Sequence, residues 1–194
     1  MTVHIKGIVL KARVEYLKKT YGDEEFKRLL QNVSPETRKV ISASILVSSW
    51  YPFSVSVEAM VAADRLFGKG DFEIVRATGR ASAQLALQGV HQSFAREHDP
   101  SFVIKMAPLL WTQYYDSGRM EAESISQEGA VTRVFEFAEP HRTLCVGIIG
   151  WMEAAIEIWG GTEVRVDETK CSARGGAHCE FLSSWKDPLS RPVG

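Results

Sequence analysis

Apolar and polar positions recur along this chain with two periods, three-to-four over the first two thirds and two thereafter. Val3 to Leu10 is a short apolar run that reads as an opening strand, and charged amphipathic segments follow at Val14 to Tyr21 and Glu24 to Val33. Ser34-Pro35-Glu36-Thr37 is a helix start, with Ser34 as the cap and Pro35 at the first helical position. Ile41, Ile45 and Leu46 continue an apolar face toward Trp50, Tyr51 and Phe53, a cluster that reads as core, with Pro52 breaking the helix. Helical spacing returns over Ser56 to Leu66. After the Gly68-Lys69-Gly70 turn it runs from Phe72 to about Glu97, through Ile74, Ala77, Ala81 and Leu85. Asp99-Pro100-Ser101 punctuates this stretch, and Phe102 to Tyr115 predicts a further helix carrying Met106, Leu110, Trp111 and Tyr114.

The period then changes. Met120 to Ile125 and Val131 to Phe137, joined by Gln127-Glu128-Gly129, predict a β-hairpin. An apolar helix from about Pro140 to Trp159 separates it from a second hairpin marked by Val164, Val166, Cys179 and Phe181. The predicted class is α+β, with a helical N-terminal half and a mostly antiparallel four-stranded sheet packed against helices.

Length and composition change this picture little. The chain has 194 residues, 45% hydrophobic and 24% charged, enough to bury one core; the expected organisation is a single domain over 1–185 and a C-terminal tail over 186–194. A formal net charge of −1 gives no general attraction to phosphate backbones, so nucleic acid is not expected as a partner. The N-terminal residues lack the charged leader and apolar run of an export signal. Leu144 to Trp159 is interrupted by Glu153 and Glu157 and falls short of a membrane span, so it reads as a buried helix. The expected location is the cytoplasm, where thiols stay reduced.

The candidate chemistry lies near the C-terminus. Cys145, Glu168, Cys171 and Cys179 supply four ligands suited to one tetrahedral zinc ion, and four protein ligands leave no open position, so such a site is structural. Two residues separate Glu168 from Cys171, and seven, including Gly175-Gly176, separate Cys171 from Cys179. Three buried free thiols, or a Cys171 to Cys179 disulfide, are the other readings of the spacing. Three thiolates and a carboxylate around a divalent cation leave a net negative site that Lys170 or Arg174 is placed to offset, unless both are simply solvated.

The stretch from Cys145 through Gly160 and Glu168-Thr169-Lys170-Cys171 to Gly175-Gly176-Ala177-His178-Cys179-Glu180-Phe181 resembles the 4-vinyl reductase domain, including the sensor domains of aromatic-responsive bacterial activators. The helix between, with Gly147, Gly150, Ala154 and Ala155, is also similar. The resemblance implies a zinc ligand set of Cys145, Glu168, Cys171 and Cys179, a fold shared with trafficking-complex subunits that build dimers, and a small-molecule pocket near the metal. One ion would then fasten a helix and two strands at once, offsetting the entropy of ordering the loop between them.

Trp111, Tyr115, Phe135, Phe137 and Trp151 are the aromatics expected nearest the pocket wall, with core filling as the alternative for each. In the related sensors a histidine and a tryptophan anchor phenolic ligands. His91 or His98 is the candidate histidine, while the tryptophan position falls near Ser124, which leaves larger lipidic or tetrapyrrole-like ligands open. The expected function is therefore a zinc-stabilised sensor or carrier for an apolar, aromatic or lipid-like molecule. It is expected to be a homodimer and, lacking DNA-binding or ATPase motifs, to act through a downstream protein partner. The alternative is a ligand-free dimerising interaction module. No enzyme activity is expected: the sequence has no Walker loop, HExxH or GxGxxG, His178 and Cys179 point to opposite faces of a strand, and His141, one turn before Cys145, faces a thiol closed off by metal.

Overall fold

The computed structural model describes residues 2–87 and 99–186. Strand β1, His4–Lys6, pairs antiparallel with β2, Trp50–Pro52, in a two-stranded sheet that the sequence pattern did not reveal. Helix α1, Gly7–Gln31, starts inside the run expected as a strand. A short apolar run is ambiguous between the two states; here Gly7 packs so closely that a Cβ would lie 2.0 Å from the Leu46 carbonyl oxygen. The two amphipathic segments are the two arms of α1, kinked at Gly22, whose φ of 83° is the left-handed conformation that glycine adopts without strain.

Helix α2, Pro35–Ser42, starts as expected, with the Ser34 hydroxyl accepting from the Thr37 amide. Helices α3, Phe53–Phe67, α4, Glu73–Leu85, and α5, Pro100–Tyr114, follow, the last capped by Asp99. Of the aromatic cluster only Phe53 is fully buried, whereas Trp50 is 42% exposed. The expected extension of the fourth helix toward Glu97, and His91 and His98 with it, lie outside the described residues.

Strands β3, Arg119–Ser126, and β4, Gly129–Phe135, form the first hairpin; α6, Arg142–Ile158, leads to β5, Thr162–Lys170, and β6, Cys179–Lys186. The four-stranded sheet is antiparallel throughout, in the order β3-β4-β6-β5. Alternation along β6 turns Cys179, Phe181, Ser183 and Trp185 inward toward α6 and leaves Glu180, Leu182 and Lys186 on the other face. This is the α+β architecture expected from the sequence. No helix among the described residues is long and apolar enough to cross a membrane.

Small residues bring α4 and α6 together. A Cβ on Gly79 would lie 2.2 Å from the Gly147 carbonyl oxygen, and one on Gly150 would lie 2.0 Å from that of Arg76. Beside this contact Glu153 of α6, 4% exposed, receives hydrogen bonds from Arg76 and Arg80 of α4. The core has two parts, one between the sheet and α5 and α6, the other among α1 to α4.

Candidate functional site

Two features share α6. The first is the quartet expected to ligate metal: one ligand atom from each of Cys145, Glu168, Cys171 and Cys179 lies within 4.8 Å of the others. The Cys145 sulfur is 3.5 Å from that of Cys179 and 3.7 Å from that of Cys171, and all three are free thiols. Cys145 comes from the second turn of α6 and Glu168 from the inner face of β5, opposite Phe181. Cys171 follows directly after that strand. The connection onward is a 3-10 turn, Ser172–Arg174, closed by Gly175 at a φ of 88° and by the Gly176 amide donating to the Cys171 carbonyl. That turn also delivers the Ser172 amide and hydroxyl to the Cys179 sulfur, at 3.4 and 3.0 Å.

Charge within the quartet is already organised. The Arg142 guanidinium bonds Glu168 and, at 3.3 Å, the Cys171 sulfur. Arg142 thus takes the offsetting role expected of Lys170 or Arg174; Lys170 instead reaches Glu180 across the sheet. Hydrogen bonding to Cys145 and to Ser172 brings the Cys179 thiol down to about 6, while the same Cys179 contact, with burial, pushes the Cys145 thiol up. The two sulfurs, 3.5 Å apart, titrate as a pair.

The histidines near the quartet do not serve the thiols. His141 caps α6, its Nδ1 accepting from the Thr143 amide, and only its carbonyl oxygen meets the Cys145 sulfur. Burial and the Arg142 charge lower the His141 pKa. The His178 ring stacks on Phe135, 4.8 Å between centroids.

The second feature is a cavity of about 50 Å³ walled by α1, α4, α5, α6 and the start of β3. Trp111, Tyr115 and Trp151 line it, together with Arg13, Tyr114, Met120 and Met152. Phe137 and Phe135 do not line it. Phe137 lies behind the wall, ring edges against Phe53, Trp111 and Tyr115 at 5.3 to 5.8 Å. Phe135 is on the outer side of the sheet, under Arg119 and beside His178. An unbroken period of two would place both on one face, but Glu136 sits at a φ of 56°, which ends β4 and reverses the side-chain direction. His98 lies outside the described residues.

Arg13 was not anticipated. It is 2% exposed, with Nη1 donating to the Ser56 hydroxyl at 2.8 Å and Nε without a protein partner. Burial pulls its pKa down, and the neighbouring Tyr115 hydroxyl opposes that shift. The signal was present in the sequence: Val9, Arg13 and Leu17, at spacings of four, put one cation in the middle of an apolar helical stripe. Reading Val3 to Leu10 as a strand concealed it.

No protein-family model matches this sequence, and no curated protein sequence does. Solved structures do match. One is an unliganded Fe(II) H-NOX protein from K. algicida, with 10% identity, TM-score 0.71, and coverage of 96% of this chain and 100% of that one. Another is an S. oneidensis H-NOX protein in the Fe(II)NO state, with 16% identity, TM-score 0.69, and coverage of 94% and 99%. A third, from work on heme distortion in the H-NOX family, has 15% identity, TM-score 0.72, and coverage of 98% and 100%.

These matches correct two expectations. Kinship with the 4-vinyl reductase domain and the trafficking-complex subunits rested on about fifty C-terminal residues, whereas the H-NOX structures match over nearly the whole chain. Structural zinc, read from the four ligand types and reinforced by that kinship, is withdrawn, since the matching proteins are described by iron and heme. Arg142 gives the physical counterpart, a protein cation already balancing Glu168 and Cys171. The fold of this chain is that of the H-NOX structures.

Proposed function

We propose that this protein is a small-molecule sensor module whose ligand occupies the cavity between α1, α4, α5 and α6. The observation that carries this reading is the cavity itself, an apolar chamber with aromatic walls and a few buried polar groups, the usual constitution of a ligand site. A ligand-free interaction module would have no need of it. Passing occupancy to a protein partner, and self-association, belong to the same proposal.

The group named in the H-NOX structures does not fit this chamber. On a scale where one water needs about 10–15 Å³, 50 Å³ admits a single small ring rather than a porphyrin. Trp111, Tyr114, Tyr115 and Trp151 fill the walls, and no histidine is among the described lining residues. The ligand proposed is therefore smaller than heme. Binding rather than catalysis is assigned, because His141, whose Nδ1 accepts from the Thr143 amide, and His178, whose ring packs on Phe135, make no hydrogen bond from their rings to a thiol.

We also propose the quartet as a metal-ligating group, on the closeness of its four ligand atoms. Arg142 is then the competitor that an incoming thiophilic cation must displace.

Thermal melting with a panel of one-ring compounds, alongside native mass spectrometry of the purified protein, tests the sensor reading. A ligand that binds the folded state raises the melting temperature with concentration. Flat curves across the panel and a bare protein mass overturn the proposal, and so does binding of hemin with a shifted Soret band.

A further inference from the structure

Resting on that reading of the cavity, we infer that its ligand carries an anionic group, a carboxylate on a small aromatic body, held by Arg13. The lining leaves three hydrogen-bond donors without protein partners: the Arg13 Nε–H, the Tyr114 hydroxyl and the Trp151 indole N–H. Arginine and tryptophan can only donate. An acceptor-rich group satisfies all three, whereas a neutral apolar ligand leaves every one of them buried and unpaired.

Charge points the same way. Among the described residues no carboxylate pairs with Arg13; its polar neighbours are the Ser56 and Tyr115 hydroxyls. A guanidinium this deeply buried is costly without a counter-charge, and buried cations in proteins are ordinarily paired. Elsewhere in this molecule the rule holds, since Arg76, Arg80 and Arg142, all more exposed, each have a glutamate. Among the described residues Arg13 is the one buried arginine, and it faces a chamber instead, with its Nη2 2.8 Å from where a Cβ on Gly147 would stand. Glycine at 147 keeps that approach open.

The body of the ligand follows from the walls. Trp111 stacks on Tyr115 at 4.4 Å and Tyr114 meets Trp151 edge-on at 6.3 Å, and walls of aromatic rings favour an aromatic body. A planar carboxylate also matches the fork of the guanidinium.

The experiment compares benzoate, salicylate and phenylacetate with the uncharged benzamide and benzyl alcohol, by melting and calorimetry, on the full chain and on Arg13→Met, Arg13→Gln and Trp151→Phe. Carboxylates are expected to bind at least about tenfold more tightly than their neutral analogues, the scale of one charge-assisted hydrogen bond. Arg13→Met is expected to abolish that preference while melting no lower than the parent without ligand, because it removes an uncompensated buried charge. Should Arg13→Met fail to fold, Arg13→Gln and Trp151→Phe still read the preference. Equal binding of acids and amides overturns this inference and leaves the sensor reading standing; no binding by any compound overturns both.

Discussion

The carbonyl oxygen of Arg76 stands 2.0 Å from the point that a Cβ on residue 150 would occupy, so α4 and α6 touch backbone to backbone at Gly150. A backbone carbonyl cannot swing aside as a side chain can, and relief requires the helices to part. Gly150→Ala is therefore expected to destabilise the fold by about 1–3 kcal/mol, the usual cost of overpacking, read as a lower urea midpoint. An unchanged midpoint would show that the helix pair is loose.

Glu153 sits next to that contact, nearly buried between Arg76 and Arg80. Glu153→Gln keeps the shape and removes the charge. The arginines are partly exposed and can rehydrate, so the expected loss is about 1–3 kcal/mol, as for a charged hydrogen-bond acceptor. Glu157→Gln, on the exposed side of the same helix, is expected to cost under about 1 kcal/mol, and the comparison of the two in denaturant melts checks the assignment.

Glu58 predicts a pH dependence. Burial raises its pKa, but hydrogen bonds from the Thr37 hydroxyl and from the Ser34 hydroxyl and amide together outweigh that and leave it below the usual 4.5. A folded-state pKa below the unfolded one means that the contribution to stability is complete above about 4.5 and is lost as pH falls through the lower, folded value. Glu58→Gln should flatten this part of the acid limb of a stability profile. A parallel limb in the variant would place the titration elsewhere.

The quartet can be probed with cobalt(II), whose thiolate charge-transfer absorption reports sulfur ligation. Arg142→Ala frees Glu168 and Cys171, so it is expected to tighten cobalt binding by about tenfold, the worth of a charge-assisted contact. Cys179→Ser should abolish the absorption. Equal spectra in the two variants would remove the quartet from consideration as a ligand group.

Much of the fold was legible because its signals are local. Ser34 and Pro35 announce α2, Asp99 and Pro100 announce α5, and alternation at Met120 to Ile125 announces β3. The quartet was legible because cysteines are few. What escaped depended on contacts distant in sequence: β1 pairs with a strand over forty residues away, and the opening of α1 was hidden in a run too short to show its period. Phe135 and Phe137 were misplaced because one backbone angle at Glu136 interrupts a pattern that residue types alone continue. Arg13 has no motif; only its place on a buried stripe and its lack of a carboxylate distinguish it. The family likeness misled because it weighed the C-terminal cysteines above the rest of the chain.

Helix α6 presents Trp151 to the chamber and Cys145 to the sulfur cluster less than two turns apart, and its glycines lock it to α4. A rod clamped in this way cannot yield at one end alone. Whatever enters beside the indole rests on the same helix that carries Cys145 to the other thiols, so a change in the alkylation rate of those cysteines on filling the chamber is the expected sign of coupling between the two.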